Sequence, residues 1–237
     1  FSTMLWRWVL VVSTLLLVGG SGPTVPAGAA EGVCASEDGG CAASGTAERL
    51  QRLRQWTHSA GATGPIDFVD LGGHYGVGVV AAEAIAEGDV VLQVPAALVL
   101  GDNPQGIELP RLLEGLPASR IQFCQVVVRV LQAQSDPFWG PWIQTLPLDG
   151  GGSPGTWKDE QLEDLDAVIP ELATKATAEK LEYMLMHQRL WPHLVALLGK
   201  EAATRRAFYW ACGVVRSRPL LRTGPWALAA GLDKFNR

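Results

Sequence analysis

The sequence predicts an α+β protein in which a small β unit is followed by a helical block. Short runs of β-favouring residues, separated by turn residues, fill positions 66–100, and helical periodicity begins near residue 109. Of the 237 residues, 48% are hydrophobic and 18% are charged, with a mean hydropathy of +0.14. A chain of this size and composition can bury a sizeable core, which excludes disordered and fibrous classes.

The charge balance argues against nucleic acid as a direct ligand. Nineteen basic residues stand against 24 acidic ones, which gives a formal net charge of −5 and an isoelectric point near 5.4. Proteins that bind phosphate backbones need an excess of lysine and arginine, and this chain lacks one. We therefore expect no direct contact with nucleic acid.

Residues 1–30 have the layout of a secretory signal. Arg7 supplies one positive charge ahead of the apolar run 8–18, and small residues follow as far as the cleavage pattern Ala27-Gly28-Ala29. The run is shorter than the roughly twenty residues that span a bilayer, so we favour a cleaved signal peptide over an uncleaved signal anchor, which would be a contact with the membrane. We expect entry into the secretory route. In a photosynthetic eukaryote with complex plastids, the same layout also opens a bipartite plastid signal.

The ends of the sequence predict a fragment of a longer protein. The chain starts at Phe1, ahead of its first methionine at Met4, and it stops at Arg237 without a polar tail. We expect that residues are missing at one or both ends.

The four cysteines divide into two pairs. Cys34 and Cys41 lie in a small-residue stretch and could close a disulfide loop in an oxidising compartment, whereas Cys124 and Cys212 lie in apolar helical contexts and predict buried thiols. The sequence has no Cys-x-x-Cys pair, and His187 and His193, six residues apart, do not share a helix face, so the four histidines offer no ligand cluster and we expect no metal site.

A linker and one amphipathic helix precede the β unit. Residues 31–46 are small and polar and predict the linker, and the helical spacing of Leu50, Leu53 and Trp56 predicts a helix over 47–59. Short β-favouring runs then follow at residues 66–71, 77–82, 90–94 and 98–100.

The helical block begins near residue 109. One apolar stripe, formed by Ile121, Cys124, Val128 and Leu131, predicts a helix over 119–134. Further helices are predicted over residues 157–165, 170–198 and 202–215.

Two local signals refine this block. Thr156 is followed three residues later by Asp159, a spacing that resembles a capping box and predicts a helix start at residue 157. Residues 137–147 contain two tryptophans and three prolines, so they predict a packed, rigid connection and not a regular helix.

Residues 76–81 match the letters of the dinucleotide-binding fingerprint Gly-x-Gly-x-x-Gly/Ala. That fingerprint requires a helix that opens inside the motif, but Glu87-Gly88-Asp89 breaks the chain soon afterwards and another β run begins. We therefore interpret the motif as a tight turn into a strand, in which glycines would let a ligand approach the backbone closely.

Four groups of residues follow one another along the chain. The first two are Tyr75-Gly76-Val77-Gly78-Val79-Val80-Ala81 and Glu87-Gly88-Asp89-Val90-Val91-Leu92-Gln93-Val94-Pro95. The others are Pro137-Phe138-Trp139-Gly140-Pro141-Trp142-Ile143 with Leu146-Pro147 and Trp157, and Phe208-Tyr209-Trp210-Ala211 with Val215-Arg216-Ser217-Arg218. In this order they resemble the SET-domain protein methyltransferases of the branch typified by the Rubisco large-subunit lysine methyltransferase.

The resemblance implies a β-rich SET fold that a helical insertion interrupts and that is truncated before the C-terminal half of the SET core. It divides the chain into a signal at 1–30, a linker at 31–46, an N-terminal SET β unit at 47–106, a helical insertion at 107–212 and the start of a C-terminal SET segment at 213–237.

The resemblance also implies a reaction, the transfer of a methyl group from S-adenosyl-L-methionine to a side-chain nitrogen of a protein, usually lysine. By matching position, the implied cofactor contacts are Tyr75, Gly76, Val77, Ser217, Arg218 and Asn236. Arg222 and Asp233 match substrate-side positions. An arginine is a natural partner for the carboxylate of the cofactor.

The end of the chain departs from the family pattern. Asp233 and Asn236 match the motif Asp-x-x-Asn-His, but Arg237 stands in the place of the histidine. The tyrosine that orients the acceptor amine in this family lies beyond Arg237, so the catalytic residue is unassigned. Two alternatives stay open, a SET-like module that binds a protein without catalysis and a protein-histidine methyltransferase.

Overall fold

The computed structural model describes residues 45–71, 76–101, 104–218 and 227–234. The chain divides into two units, residues 1–39 and 40–237, and all described residues belong to the second. In chain order its helices and strands are α1 (Thr46–Ser59), β1 (Ile66–Asp70), β2 (Val77–Ala81), β3 (Val99–Leu100), α2 (Leu109–Leu112), α3 (Ala118–Ser135), α4 (Gly140–Ile143), α5 (Asp159–Val168), α6 (Pro170–Leu198), α7 (Arg205–Ser217) and β4 (Leu228–Ala229). Strands followed by a helical block confirm the predicted α+β class.

Strands β1 and β2 form an antiparallel hairpin, as the sequence predicts. The pairing runs from Ile66 opposite Ala81 to Asp70 opposite Val77, beside the turn. After β2 the chain passes through turns as far as residue 95. A dinucleotide fingerprint needs a helix at this point, so the rejection of that motif is confirmed.

Helix α1 packs along β1 and binds its open edge. Leu53 of α1 and Phe68 of β1 are both buried in the core. The backbone amide of Phe68 donates to Asp67 Oδ1 at 2.8 Å, and its carbonyl accepts a hydrogen bond from Arg54 Nη2. Arg54 and Asp67 also form an ion pair with each other, so two side chains satisfy both backbone groups of Phe68.

The strand predicted over residues 90–94 is wrong. Only Gln93 pairs with another segment, through an isolated bridge in which its amide donates to the Thr63 carbonyl at 2.7 Å and its carbonyl accepts from the Thr63 amide at 3.1 Å. The partner segment continues into Pro65, which has no amide hydrogen with which to extend the ladder. The predicted run is therefore extended chain with a single pairing.

Strand β3 is shorter than the predicted run 98–100, because Leu98 ends a 3₁₀ turn, Ala96–Leu98. β3 pairs antiparallel with β4, and the amide of Ala230 extends the contact by donating to the Leu98 carbonyl at 3.0 Å. This pairing holds residues 227–234 against the β unit near the start of the chain.

Helix α3 forms the centre of the helical layer. It packs against α6 and α7, which also contact each other. The predicted stripe faces this core, with Cys124, Val128 and Leu131 buried and Ile121 half-buried. Cys212 of α7 is buried as well, which confirms the prediction of two buried thiols, while Cys34 and Cys41 lie outside the described residues.

The later helices α6 and α7 begin and end close to the predicted residues. Helix α6 spans the predicted residues 170–198, with a proline at its start and Gly199 after its end. Helix α7 starts three residues later than predicted, because Thr204 Oγ1 accepts a hydrogen bond from the amide of Ala207 at 3.2 Å and caps the helix. It ends at Ser217, two residues beyond the predicted end at residue 215.

The predicted capping box at the start of α5 is wrong. The Thr156 hydroxyl donates to the Ser153 carbonyl at 2.7 Å within a 3₁₀ turn, Pro154–Thr156, so it is not available as a cap. Helix α5 begins at Asp159, where the Gln161 side chain accepts a hydrogen bond from the Lys158 amide at 3.0 Å.

The connection at 137–147 contains one 3₁₀ turn, Pro137–Trp139, and the single-turn helix α4. Trp142 is completely buried, and Trp139 nearly so. The predicted packed connection is confirmed. Among the helices that the structure describes, none is long and apolar enough to cross a membrane.

Candidate functional site

The structure places five of the predicted site residues on three elements. Gly76 precedes Val77 at the start of β2, Arg218 follows Ser217 at the end of α7, and Asp233 lies in a 3₁₀ turn, Leu232–Lys234. This turn contacts β2, and Arg218 reaches Asp233, so the structure brings the three elements together. The other predicted site residues, Tyr75, Arg222 and Asn236, lie outside the described residues.

Asp233 is the centre of this cluster. Its side chain has no exposed surface. Oδ1 accepts a hydrogen bond from the Gly231 amide at 3.0 Å and another from the indole Nε1 of Trp142 at 3.2 Å. A buried carboxylate is costly unless it is paired and hydrogen-bonded, and these two donors satisfy one of its oxygens.

Two cations compensate the charge of the Asp233 carboxylate. Lys234 Nζ lies 2.9 Å from Oδ2, and Arg218 Nε lies 3.8 Å from the same atom. Neither cation is aligned for a hydrogen bond to Oδ2, so both contacts are ion pairs. Lys234 Nζ also donates to the Thr145 carbonyl at 3.3 Å. Both basic side chains are themselves almost completely buried.

Ser217 orients the guanidinium of Arg218. The Ser217 hydroxyl donates to the Gly213 carbonyl at 2.8 Å, one turn earlier in α7, and its oxygen accepts from Arg218 Nη1 at 2.7 Å. The end of α7 therefore fixes the position of a buried positive charge.

A run of three glycines, which we name the glycine loop (residues 150–152), lies against the end of α7. All three residues have positive φ, at 77°, 87° and 78°. A Cβ added to Gly151 would lie 2.6 Å from Ser217 Oγ, and one added to Gly213 would lie 2.6 Å from the Gly150 carbonyl oxygen. At Gly213 the close neighbour is backbone, so α7 requires glycine there. At Gly151 the close neighbours are the ends of the Ser217 and Arg218 side chains, which a Cβ would displace.

Gly76 has the backbone conformation that the turn into β2 requires. Its φ is +60°, and its carbonyl accepts a hydrogen bond from the Leu71 amide at 2.8 Å. No atom lies within 4 Å of the place that a Cβ would occupy. A ligand could therefore approach this backbone closely, as the sequence predicts.

The two tyrosines in the helical layer are bonded within that layer. The Tyr183 hydroxyl donates to Glu179 Oε1 at 2.7 Å, and its ring stacks on Phe123 at 5.8 Å. Burial raises the pKa of Tyr183 strongly, with smaller contributions from Cys212 and Glu179. The Tyr209 hydroxyl donates to the Lys180 carbonyl at 3.5 Å. These contacts give both hydroxyl groups structural partners.

A cavity of about 540 Å³ lies beside β1. It is lined by the second half of α1, by residues 62–64, by β1 and by Ala230 and Gly231. Two of its polar side chains, Arg54 and Asp67, form an ion pair with each other. None of the five predicted site residues that the structure describes lines this cavity, and those five define the candidate site around Asp233.

Sequence reasoning missed three parts of the cluster: Trp142, Lys234 and the glycine loop. The three consecutive glycines were visible as a signal for a special backbone conformation. No local signal could have identified Trp142, because its partner Asp233 is 91 residues away.

The hairpin, the helical layer and the buried turn of Asp233 form a fold that is similar to solved SET-domain structures. Comparison with solved structures finds this fold in Rubisco LSMT bound to sinefungin and monomethyllysine (TM-score 0.61, 23% identity) and in Rubisco LSMT bound to AdoMet (0.63, 23%). It also finds the SET domain of LSMT bound to lysine and AdoHcy (0.63, 22%). These matches cover 78–81% of this chain and establish its fold.

A curated relative agrees with the structural comparison. The chain is similar to the ribulose-1,5 bisphosphate carboxylase/oxygenase large subunit N-methyltransferase, chloroplastic, of Pisum sativum, with 28% identity over 159 residues. No protein-family model matches the sequence. The chain spans 30% of the length of the pea relative and 43–44% of the solved chains. Sequence and fold together confirm the predicted resemblance to this branch of SET-domain proteins.

Proposed function

We propose that the chain belongs to an S-adenosyl-L-methionine-dependent protein-lysine N-methyltransferase of the SET type. The observation that carries this proposal is the buried Arg218–Asp233 pair, which lies on a fold whose solved neighbours are bound to AdoMet, AdoHcy or sinefungin. One of those neighbours also holds monomethyllysine, and another holds lysine. Protein lysine is the corresponding acceptor for this chain.

The residues of the cluster suit this cofactor. S-adenosylmethionine, when bound, supplies an electrophilic methyl group on a sulfonium centre. Arg218, held by Ser217, brings a positive charge that can pair with a ligand carboxylate, and Gly76 leaves its backbone accessible. Asp233 completes the cluster, because its buried Oδ2 pairs with both Arg218 and Lys234.

The chemistry then depends on orientation and charge. A SET-type reaction needs a deprotonated acceptor amine in line with the methyl group, and fixing that geometry lowers the barrier without a covalent intermediate on the protein. In this chain, the anchored end of α7 and the buried turn of Asp233 would supply the fixed donor side of the site.

Titration calorimetry with S-adenosylmethionine and S-adenosylhomocysteine tests donor binding by the full chain. We expect saturable binding that Arg218→Met weakens about ten- to hundredfold, because a hydrogen bond to a charged group contributes about 1.5–3 kcal/mol. Arg206→Gln is the matched control, since this arginine is exposed on the first turn of the same helix. A folded chain that binds neither compound would overturn the proposal.

The nature of the acceptor requires a separate measurement. Incubation with tritiated S-adenosylmethionine and candidate proteins, followed by amino-acid analysis of the labelled product, distinguishes methyllysine from methylhistidine. We expect methyllysine. Labelled methylhistidine would replace the lysine assignment with the histidine alternative.

A second candidate function is a SET-like module that binds a protein without catalysis. The specific observation in its favour is Arg237, which stands where the family motif has histidine. The calorimetric experiment separates the two functions, because the binding module predicts a folded chain without affinity for the donor.

For the localisation of the protein, we propose a cleaved secretory signal at residues 1–30, which lie outside the described residues. The order of one basic residue, a short apolar run and small residues supports it. A reporter fused behind residues 1–30 should be exported and should lose this segment. Retention of the full segment on a membrane would indicate the signal anchor, and delivery to a plastid would indicate the bipartite signal.

A further inference from the structure

Two contacts tie helix α4 and the turn that follows it to the candidate site. The indole Nε1 of Trp142 donates to Asp233 Oδ1 at 3.2 Å, and the Thr145 carbonyl accepts from Lys234 Nζ at 3.3 Å. α4 belongs to the helical part of the chain, whereas Asp233 and Lys234 belong to the segment that β4 holds against the β unit. The site therefore receives direct support from an element outside the predicted contact set.

The position of the Trp142 ring is determined by its neighbours. Its side chain is completely buried, and its ring packs edge-on against that of Trp139 at 5.7 Å. Trp139 in turn packs edge-on against Trp56 of α1 at 5.7 Å and against Phe138 at 5.3 Å. Such edge-to-face packing fixes the ring planes, so the N–H group points in a defined direction.

The indole hydrogen bond controls the orientation of the Asp233 carboxylate. Oδ1 is held by Trp142 on one side and by the Gly231 amide on the other. Without the indole donor the carboxylate would keep only the Gly231 amide on Oδ1 and the Lys234 ion pair on Oδ2, and Oδ2 would move relative to Arg218. The ion pair between Arg218 and Asp233 is already 3.8 Å long, so such a movement would change the position of the Arg218 guanidinium.

We propose that Trp142 is a positioning residue of the methyl-donor site. It acts on the donor through Asp233, which holds Arg218, and it makes no contact with the donor itself. This inference rests on the proposed function, because it needs Arg218 to bind the donor.

The variant Trp142→Phe tests the inference, because phenylalanine keeps an aromatic ring and removes only the N–H donor and part of the ring volume. We expect the dissociation constant for S-adenosylhomocysteine to rise about tenfold in titration calorimetry. Trp191→Phe is the matched control: it makes the same ring change at a half-buried tryptophan of α6 that packs against His187, and we expect an unchanged dissociation constant. Equal weakening in both variants would show that the effect does not come from the bond to Asp233 and would overturn the inference.

A double-mutant cycle shows whether Trp142 acts through Arg218. In the background Arg218→Met, the change Trp142→Phe should cost almost nothing further, because its effect has already been lost. Full additivity of the two effects would overturn the inference. If the unmodified chain binds no donor, the proposed function and the inference fail together; if it binds and Trp142→Phe binds equally well, only the inference fails.

A spectroscopic measurement makes the test independent of affinity and of the fold of the phenylalanine variant. The indole N–H resonance of Trp142 in a ¹H–¹⁵N spectrum should shift in Asp233→Asn, which keeps the size of the side chain and removes its charge, and again when the donor is added. The Trp139 resonance should stay in place. A Trp142 resonance that stays in place after both changes would contradict the coupling between Trp142 and the donor site.

Discussion

At the scale of single residues, Cys124 shows how burial controls the chemistry of a side chain. Its thiol is completely buried in α3, with Sγ 3.0 Å from the sulfur of Met186. Burial raises the pKa of Cys124 from 9.0 to about 12, Glu182 adds to this increase, and Arg120 opposes it. A thiol in this environment is protonated and unreactive at neutral pH.

This pKa predicts a loss of stability at alkaline pH. The unfolded chain releases the Cys124 proton near pH 9.0, whereas the folded chain keeps it to about pH 12. The unfolded state binds fewer protons in this window, so the free energy of unfolding decreases there, by about 1.4 kcal/mol per pH unit for this group. Below pH 9 the group contributes no pH dependence.

Urea denaturation between pH 8 and pH 11 measures this slope. In Cys124→Ala we expect a shallower decrease, and in the control Cys34→Ala the slope of the unmodified chain. Identical slopes in all three proteins would show that the alkaline loss has another origin.

At the scale of elements, two neighbouring positions of the glycine loop differ in steric contact but share the same backbone conformation. Gly151 and Gly152 both have positive φ, at 87° and 78°, but only Gly151 faces Ser217 closely. No atom lies within 4 Å of a Cβ placed on Gly152. An alanine at either position destabilises the fold, because it must adopt the left-handed backbone conformation. An alanine at 151 also displaces the side chains of Ser217 and Arg218.

Two alanine variants should therefore differ in function. We expect Gly151→Ala and Gly152→Ala each to lose about 1–2 kcal/mol of unfolding free energy from the backbone conformation. Only Gly151→Ala should weaken donor binding, because only it displaces Ser217 and with it Arg218. Thermal denaturation and titration calorimetry of the pair measure the two effects, and equal donor affinity in both variants would refute the steric link.

Elements with strong local signals could be predicted from the sequence. Pro170 and Gly199 mark the ends of α6, and the apolar stripe of α3 marks its buried face. The run 90–94 was assigned incorrectly because β-favouring residues do not reveal whether a partner segment has a free amide, and Pro65 lacks one. Thr156 failed as a cap because its hydroxyl bonds to the preceding turn.

The candidate site could be predicted only in part, for a physical reason. Ser217, Arg218 and Asp233 were predicted by their resemblance to family positions, and the structure brings them together. The groups that hold them, Trp142 and the glycine loop, depend on tertiary contacts between distant parts of the chain. Local sequence patterns carry no information on such contacts.

At the scale of the whole molecule, helices α3 and α7 pack against each other in the core of the helical layer. Cys124 on α3 and Cys212 on α7 both have no exposed surface, and burial raises the pKa of each thiol. A reagent can reach them only when these two central helices separate, which is close to global unfolding.

Thiol modification should therefore follow global unfolding. In the background Cys34→Ser, Cys41→Ser, we expect Ellman's reagent to modify Cys124 and Cys212 at one common rate that rises with urea as the unfolding equilibrium does. Rapid modification in buffer alone, at the rate of a free thiol, would show that the helical layer opens locally.

The bonds between α1 and β1 have a consequence for solubility. A two-stranded sheet leaves edges onto which strands of other chains can add, and this addition begins many aggregates. At the middle of β1, the side chains of Arg54 and Asp67 occupy the amide and carbonyl of Phe68 to which an incoming strand would bond. The same two residues place an ion pair at this edge. One arginine and one aspartate thus act as gatekeepers against edge-to-edge association of this hairpin.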